Sequence, residues 1–265
     1  MDPSRGTFVA DHAGDVCGCA FADVERDPRG VMYGRISNVN IAESCQGHGI
    51  GSQLVDEAIL FLSALNISWI WANVNQNNEL MLKLFERRGF KRMLKVMVRD
   101  IDPFNPYPQV DLVKNEIRYR AMIELDIPQV KQLIKELAEI FNEPFDSFWF
   151  DLSVEKYFQV PSSKIFIATR GAEILGLTFV DVQKNPFGNS YGYISNIMIK
   201  NEARGLGIGT HLLQLATSFL ANLNVPRIWG NVNYENASMQ KMFEKQGYKE
   251  KFIVMVKKTD TSGAC

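Results

Sequence analysis

The sequence predicts an α/β (α+β) protein made of two copies of one domain, each a mixed, mostly antiparallel twisted sheet flanked by helices. Three observations carry that expectation. A long stretch recurs at a constant offset. Within each copy, hairpin patterns alternate with amphipathic helical patterns. A glycine-rich run separates a strand from a helix in both copies.

The repeat fixes the organisation. Ile36-Ser37-Asn38-Val39-Asn40-Ile41 returns as Ile194-Ser195-Asn196-Ile197-Met198-Ile199, and Trp71-Ala72-Asn73-Val74-Asn75 as Trp229-Gly230-Asn231-Val232-Asn233. The offset is constant (204 − 46 = 158), without a gap from Phe8/Phe166 to Val98/Val256. Pro103, Pro106 and Pro108 exclude helix and central strand and mark a linker. The expected division is a first domain over 1–100, a linker over 101–115 and a second domain over 116–258. Only seven residues precede Phe8, whereas the second copy has its own segment from Glu116 up to Phe166. The first domain is therefore expected to lack an N-terminal strand and helices.

In the longer copy, 117–123 reads as a strand. A helix follows from Asp126, where Asp126 and Gln129 suggest a capping box and Val130, Leu133 and Ile134 form an apolar stripe. An aromatic-rich bend over 141–150 leads to a short helix from Ser153. Strands over 164–169 and 174–182 flank a turn at Gly171, a hairpin signal. A strand over 191–199, a helix over 210–223, a strand over 227–232, a helix over 237–246 and a strand over 248–256 complete the copy. Hairpins mixed with helical crossovers imply a mixed sheet with helices packed on it.

Composition narrows the function classes. Apolar residues at 46% and charged residues at 22% describe a globular protein with a real core. A net charge of −1 offers no footprint for nucleic acid or anionic lipid. No apolar run approaches the roughly 20 residues that span a bilayer, and the N-terminal stretch lacks the basic and apolar regions of a signal peptide. Cytoplasmic residence is expected, with neither nucleic-acid nor membrane partners. Three scattered histidines give no metal-site spacing. Cys17 and Cys19 alternate on one strand and are poor disulfide partners, so reduced thiols are expected.

The chemistry concentrates in Arg204-Gly205-Leu206-Gly207-Ile208-Gly209 and its counterpart Gln46-Gly47-His48-Gly49-Ile50-Gly51. Alternate glycines let the backbone approach a ligand, and the freed amides sit at a helix N-terminus that favours negative charge. That combination suits a pyrophosphate. A dinucleotide fold needs Gly-x-Gly-x-x-Gly after the first strand, and a P-loop needs Gly-Lys-Ser/Thr; neither pattern is present.

Each copy resembles the GNAT superfamily of N-acetyltransferases, whose pyrophosphate loop reads Arg/Gln-x-x-Gly-x-Gly/Ala. Arg204, Gly207 and Gly209 match, as do Gln46, Gly49 and Gly51. The family's Asn, aromatic seven residues on, then Gly-Phe or Gly-Tyr is matched by Asn236, Phe243 and Gly247-Tyr248, and by Asn78, Phe85 and Gly89-Phe90. The resemblance implies acetyl-CoA as co-substrate and an amine as acceptor, with a homodimer left open. It also implies that the backbone around Ile197 and Ile199, or Val39 and Ile41, pairs with the pantetheine arm. The loop amides of 204–210 (Arg204, Gly205, Gly207, Gly209, Thr210) and 46–52 (Gln46, Gly47, Gly49, Gly51, Ser52) would hold the pyrophosphate. Asn236 and Asn78 would help fix the arm near the thioester, with Phe243 beside it.

Two departures stand out. Phe243 and Phe85 occupy the position where many members carry a Tyr that protonates the leaving thiolate. The strand before the loop, where many members carry a basic Glu, offers Tyr193, Ser195 and Asn196 instead. Ser195 and Asn196 therefore join Asp181 as candidate catalytic residues, with Glu143 and Asp146 as further candidate bases. Trp229, Asn231 and Asn233 line one face of their strand and could border an acceptor pocket.

Overall fold

A computed structural model describes residues 4–12, 14–26, 31–104, 107–140, 145–185 and 188–259. In chain order its elements are β1 (Arg5–His12), β2 (Asp15–Arg26), β3 (Met32–Ile41), α1 (Ile50–Ala64), β4 (Trp69–Asn75), α2 (Glu79–Arg87) and β5 (Lys91–Asp100). There follow β6 (Val113–Lys114), β7 (Ile117–Ala121), α3 (Ile127–Ile140), α4 (Ser147–Gln159), β8 (Lys164–Arg170), β9 (Glu173–Lys184), β10 (Ser190–Ile199), α5 (Ile208–Ala221), β11 (Arg227–Asn233), α6 (Ala237–Lys245) and β12 (Lys249–Lys258). The two repeats run through the same elements from β1/β8 to β5/β12. The mixed sheets flanked by helices agree with the fold class read from the sequence.

The chain forms two compact units that do not follow the contiguous division at 1–100 and 116–258. One comprises Met1–Leu94 with Phe252–Cys265, the other Lys95–Lys251. The final strands are exchanged. In the first unit the strand order is β1-β2-β3-β4-β12, and in the second β5-β11-β10-β9-β8-β7-β6. β12 runs antiparallel to β4 with Phe252 opposite Asn75 and Lys258 opposite Trp69, and Thr259 N donates to Ser68 O at 3.0 Å. β5 is fastened into the second unit by Lys95 on Glu250 at 2.8 Å, by Arg99 on the Gln246 carbonyl and by Ile101 N on Pro226 O at 2.9 Å. β5 buries Val96, Met97 and Val98, and β12 buries Ile253 to Val256. Either strand offers the apolar run that a central position demands.

In the second unit, Leu212, Leu213, Ala216 and Leu220 of α5 pack on Ile194 and Ile228. On the other face α3 and α4 bring Val130, Leu133, Ile134, Phe150 and Val154 against Ile165, Ile167, Leu177 and Phe179. The first unit has counterparts of β8 to β11, of α5 and of α6; among its described residues none corresponds to β6, β7, α3 or α4.

Local expectations near α3 need correction. Asp126 accepts from Ile123 N at 2.8 Å and is held by Arg120 at 2.6 and 2.9 Å, so it ties down the turn before α3. Gln129 makes no capping box: it bonds Ala172 O and Ile174 N of the β8–β9 turn. α4 begins at Ser147 rather than Ser153, because Asp146 caps it through Trp149 N at 2.9 Å. No helix among the described residues is long and apolar enough to cross a membrane.

Strand exchange has a direct consequence. Cysteines placed at the opposed positions Asn75 of β4 and Phe252 of β12 should cross-link within one full-length chain on mild oxidation, as read by peptide mass spectrometry, because directly opposed strand residues lie within disulfide reach. Failure of that link to form in folded protein would contradict the exchange.

Candidate functional site

The site in the second unit is a fork. β10 and β11 run parallel and pair only at Gly192–Ile228, Tyr193–Trp229 and Ile194–Gly230. Beyond those pairs both strands continue, β10 to Ile199 and β11 to Asn233, without pairing to each other. A bulge lies where they part: between Ser195–Phe179 and Met198–Leu177, β10 has Asn196 and Ile197 where β9 has Thr178 alone. Asn196 takes a left-handed φ of 51°, and Thr178 Oγ1 donates to Ser195 O at 3.1 Å. A bulge bends its strand and unpairs backbone groups, so β10 from Asn196 onward can pair with an extended guest. The first unit repeats this with three β3–β4 pairs (Gly34–Ile70, Arg35–Trp71, Ile36–Ala72) and Asn38 at φ 51°.

The fork ends at the glycine loop. Gly207 has φ 77° and caps α5 without a side-chain bond; Gly49 has φ 78° and does the same for α1. That left-handed conformation favours glycine. A Cβ at either position would meet nothing within 4 Å, so the loop backbone faces open space. The helix N-terminus therefore presents uncapped amides and a positive dipole end, which fits a pyrophosphate. Asn236 and Asn78 cap α6 and α2, accepting from Met239 N and Met81 N at 3.0 Å each. Their side-chain oxygens thereby hold the N-termini of the two helices. Phe243 is 1% exposed and lies against Gly230, where an added Cβ would come within 2.3 Å of its ring. It packs edge-on with Tyr248 as core.

Beside the fork, on the face covered by α4, lies a polar cluster. Asp181 on β9 is 5% exposed and stands opposite Tyr193 of β10. Lys156 Nζ approaches its carboxylate at 3.5 Å, and Gln183 Nε2 donates to its two oxygens at 3.4 and 3.3 Å. Burial pushes the Asp181 carboxyl above the usual carboxylate range, with Lys156 and Gln183 pulling against it. Tyr157 of α4 is also pushed up, chiefly by burial and then by the nearby Asp181 and Tyr193. Asn231 Nδ2 donates to the Tyr193 hydroxyl at 2.7 Å, and the Tyr191 ring lies tilted against Trp229, with ring centroids 4.6 Å apart.

The structure thus gathers Asp181, Ser195, Asn196 and Asn231 around one fork. Asp146 is taken by the α4 cap, and Glu143 lies outside the described residues. Lys156 and Tyr157 were not legible as site residues, since only the packing of α4 on β9 brings them in.

The first unit carries different groups in the same places. Arg35 replaces Tyr193 and pairs with Glu25 at 2.7 Å, while Tyr33 donates to Glu25 at 2.7 Å. The expectation of reduced thiols also fails there: Cys17 and Cys45 form a disulfide with a Cα–Cα distance of 5.7 Å. Cys45 lies in the turn just before Gln46, so the bridge ties β2 to the glycine loop. In the second copy Leu175 and Ala203, both 3% exposed, make that join by apolar packing. Alternation along one strand relates Cys17 to Cys19, whereas the bridge to Cys45 depends on a turn that brings together residues 28 apart in sequence. Among the described residues no group of three or more His, Cys, Asp or Glu could hold a metal ion.

Comparison with known proteins agrees with this geometry. The family model described as Acetyltransferase (GNAT) family matches residues 1–90 and 134–248. The protein named "Putative phosphinothricin acetyltransferase YwnH" of Bacillus subtilis (strain 168) is 36% identical over 90 residues, 33% of this chain and 54% of the relative. This chain thus spans about half the length of that relative. A GCN5-related N-acetyltransferase from Sphaerobacter thermophilus superposes with a TM-score of 0.65 at 18% identity, covering 94% of this chain and 81% of that one. A tandem GNAT protein from the clavulanic acid biosynthesis pathway superposes with a TM-score of 0.63 at 14% identity, covering 100% and 86%. At such identities the two solved structures speak for the fold.

The bridge is open to a simple check. Alkylating the unfolded, unreduced protein should leave Cys17 and Cys45 unmodified, and prior reduction should expose both, as read by peptide mass spectrometry. Full alkylation without reductant would remove the bridge from the structure.

Proposed function

Because the chain belongs to the GNAT family of acetyltransferases, we propose that it is an acetyl-CoA-dependent N-acetyltransferase acting on a primary amine, with the chemistry in the second unit. The observation that carries this reading is the juxtaposition, in that unit alone, of the fork, the uncapped glycine loop and a buried carboxylate under α4. The loop 204–210 would hold the pyrophosphate, and the β10 backbone beyond the bulge would pair with the pantetheine arm. Acetyl-CoA supplies the activated acyl group.

Asp181 takes a proton from the incoming ammonium, which leaves a neutral amine able to attack the thioester carbonyl. Its raised pKa suits the task, because a base that ionises closer to the operating pH accepts a proton with less penalty. Tyr157, Tyr191 and Trp229 supply aromatic walls around the amine. The first unit keeps the loop and the fork, but Arg35 stands in place of Tyr193 and the Asp23 side chain is 26% exposed, so it serves as structure or a weaker CoA site. The competing reading, CoA binding without turnover, draws on the absence of a carboxylate from β10 and the burial of Phe243.

Release of CoA across a panel of primary amines separates the two readings: turnover with any amine supports the enzyme, and tight binding with none supports the scaffold. Gly207→Asp puts a side chain at a left-handed position and an anion in the cradle. It should weaken acetyl-CoA binding in the second unit by about tenfold, or about 1.4 kcal/mol, and lower kcat/KM for acetyl-CoA by at least as much, whereas Gly49→Asp should leave that kcat/KM unchanged. Equal loss from both would defeat the division of labour.

Asp181→Asn should lower kcat/KM by about a hundredfold while acetyl-CoA affinity, by calorimetry, holds. Lys156 holds the Asp181 pKa down, so Lys156→Met should let it rise and move the acid limb of the kcat/KM profile to higher pH. An unmoved limb would remove Asp181 from the base role.

A further inference from the structure

The two glycine loops are held in place by different means. In each copy one backbone bond ties the turn before the loop to the neighbouring strand: Ala42 N donates to Cys17 O at 2.8 Å, and Lys200 N to Leu175 O at 2.9 Å. The second unit adds two further ties. Lys200 Nζ donates to Glu173 Oε1 at 2.7 Å, and Leu175 and Ala203 are buried in one apolar cluster. The first copy has Ala42 in place of Lys200 and Asp15 in place of Glu173, so that ion pair cannot form there. It has Cys17 in place of Leu175 and Cys45 in place of Ala203, and their disulfide stands where the apolar contact would be. Cys45 is the residue just before Gln46, and the neighbouring Glu43, Ser44 and 46–49 are exposed. A covalent bond that opens on reduction thus fastens the first loop.

We propose that the first unit's glycine loop is a redox-gated site for acetyl-CoA, competent while the Cys17–Cys45 bridge is closed and weakened when it is reduced. This rests on the acetyl-CoA reading above and adds regulation to it. Cys17 is 4% exposed, whereas Cys45 is partly exposed, so a low-molecular-weight thiol reaches the bridge from the Cys45 side. Its thiolate attacks the Cys45 sulfur to form a mixed disulfide, and the electron pair of the broken S–S bond goes to the Cys17 sulfur, which takes up a proton. A second small thiol then attacks the small-molecule sulfur of that mixed disulfide. Cys45 leaves as a thiol, and the two small thiols leave as their disulfide. The bridge gains two electrons and two protons, and a low-molecular-weight disulfide reverses the exchange. With the bridge open, the turn over 43–45 loses its covalent tie to β2. The freedom it gains must be lost again when the loop closes on a pyrophosphate, which lowers affinity. Neither Leu175 nor Ala203 carries sulfur, so the second unit's loop does not respond.

Acetyl-CoA, which has no free thiol, is the probe, titrated by calorimetry into the full chain without an acceptor. Gly207→Asp weakens the second unit's site, so that the first is read. In that background the oxidised protein should bind about tenfold more tightly than protein reduced with dithiothreitol, the scale of ordering one or two side chains on binding. Gly49→Asp protein, which reports the second unit, should bind equally in both states. Adding Cys17→Ala and Cys45→Ala to Gly207→Asp should give the weaker affinity in both states. Cys17→Leu with Cys45→Ala, which copies the apolar join of the second unit, should ignore the reductant and bind more tightly than the paired alanines. Unchanged affinity while peptide mass spectrometry shows the bridge open, or a redox response that persists in the paired alanines, overturns the proposal. So does a first unit that binds in neither state; the acetyltransferase reading then stands if Gly49→Asp protein binds acetyl-CoA. Binding by neither variant overturns both.

Discussion

Everything that makes a site in this protein follows from a parallel strand pair that stops after three residues. Parallel neighbours pair with evenly spaced bonds and have no intrinsic reason to part. Here the extra residue at Asn196 breaks the β9–β10 register and turns β10 aside. The backbone groups that part from β11 lie in the middle of a sheet, where orphaned donors and acceptors are costly unless something fills the gap. A guest with its own amides in extended form is the natural filler. The same bend delivers the end of β10 to a turn whose left-handed glycine opens a long helix, so the guest's charged end meets a helix N-terminus. One bulge thus sets both the neutral and the anionic parts of the binding surface.

Duplication copied that device and left the surroundings to diverge. Asn38 and Asn196 have the same φ, and Gly49 and Gly207 nearly so, because both are conditions of the backbone path. The groups one step out from the fork differ. Tyr193, Gln183 and a carboxylate enclosed by α4 in one unit face Arg35, Glu25 and the more open Asp23 in the other, where the Asp23 side chain is 26% exposed. Burial is what raises the Asp181 carboxyl. The catalytic asymmetry proposed here thus traces to the helical cover over one sheet rather than to the loop that the two copies share.

Much of this was legible in the sequence because it is written in short-range constraints. The repeat offset, the glycines at 47, 49, 205 and 207 and the strand–loop–helix order all survive as local patterns. The first helical segment was legible through Val130, Leu133 and Ile134, yet its cap was misassigned: Gln129 could reach the Ile174 amide only after β8 and β9 had formed. Lys156 and Tyr157 became site residues through packing alone, and the local pattern of their helix carries no mark of the strand they meet. Cys45 gave no sign of its partner because a turn brings it to Cys17 across 28 residues of sequence. Fold elements rest on periodicity, which a sequence displays. The neighbours of a buried carboxylate rest on tertiary contact, which it does not.

The exchange of final strands was hidden for a related reason. Lys91–Asp100 and Lys249–Lys258 occupy equivalent places in the two copies and bury equivalent apolar runs. Either would satisfy either sheet, so no local pattern says which goes where. Chain connectivity and the polar contacts at the strand ends must decide, and Lys95 on Glu250 and Arg227 on Asp100 at 3.4 Å are such contacts. The outcome changes what the first copy is for. It carries β5, without which the second unit's sheet ends at β11, and its own unit is closed by the chain's last strand. The first copy is therefore needed to complete the sheet on which Tyr193 and Asn231 meet.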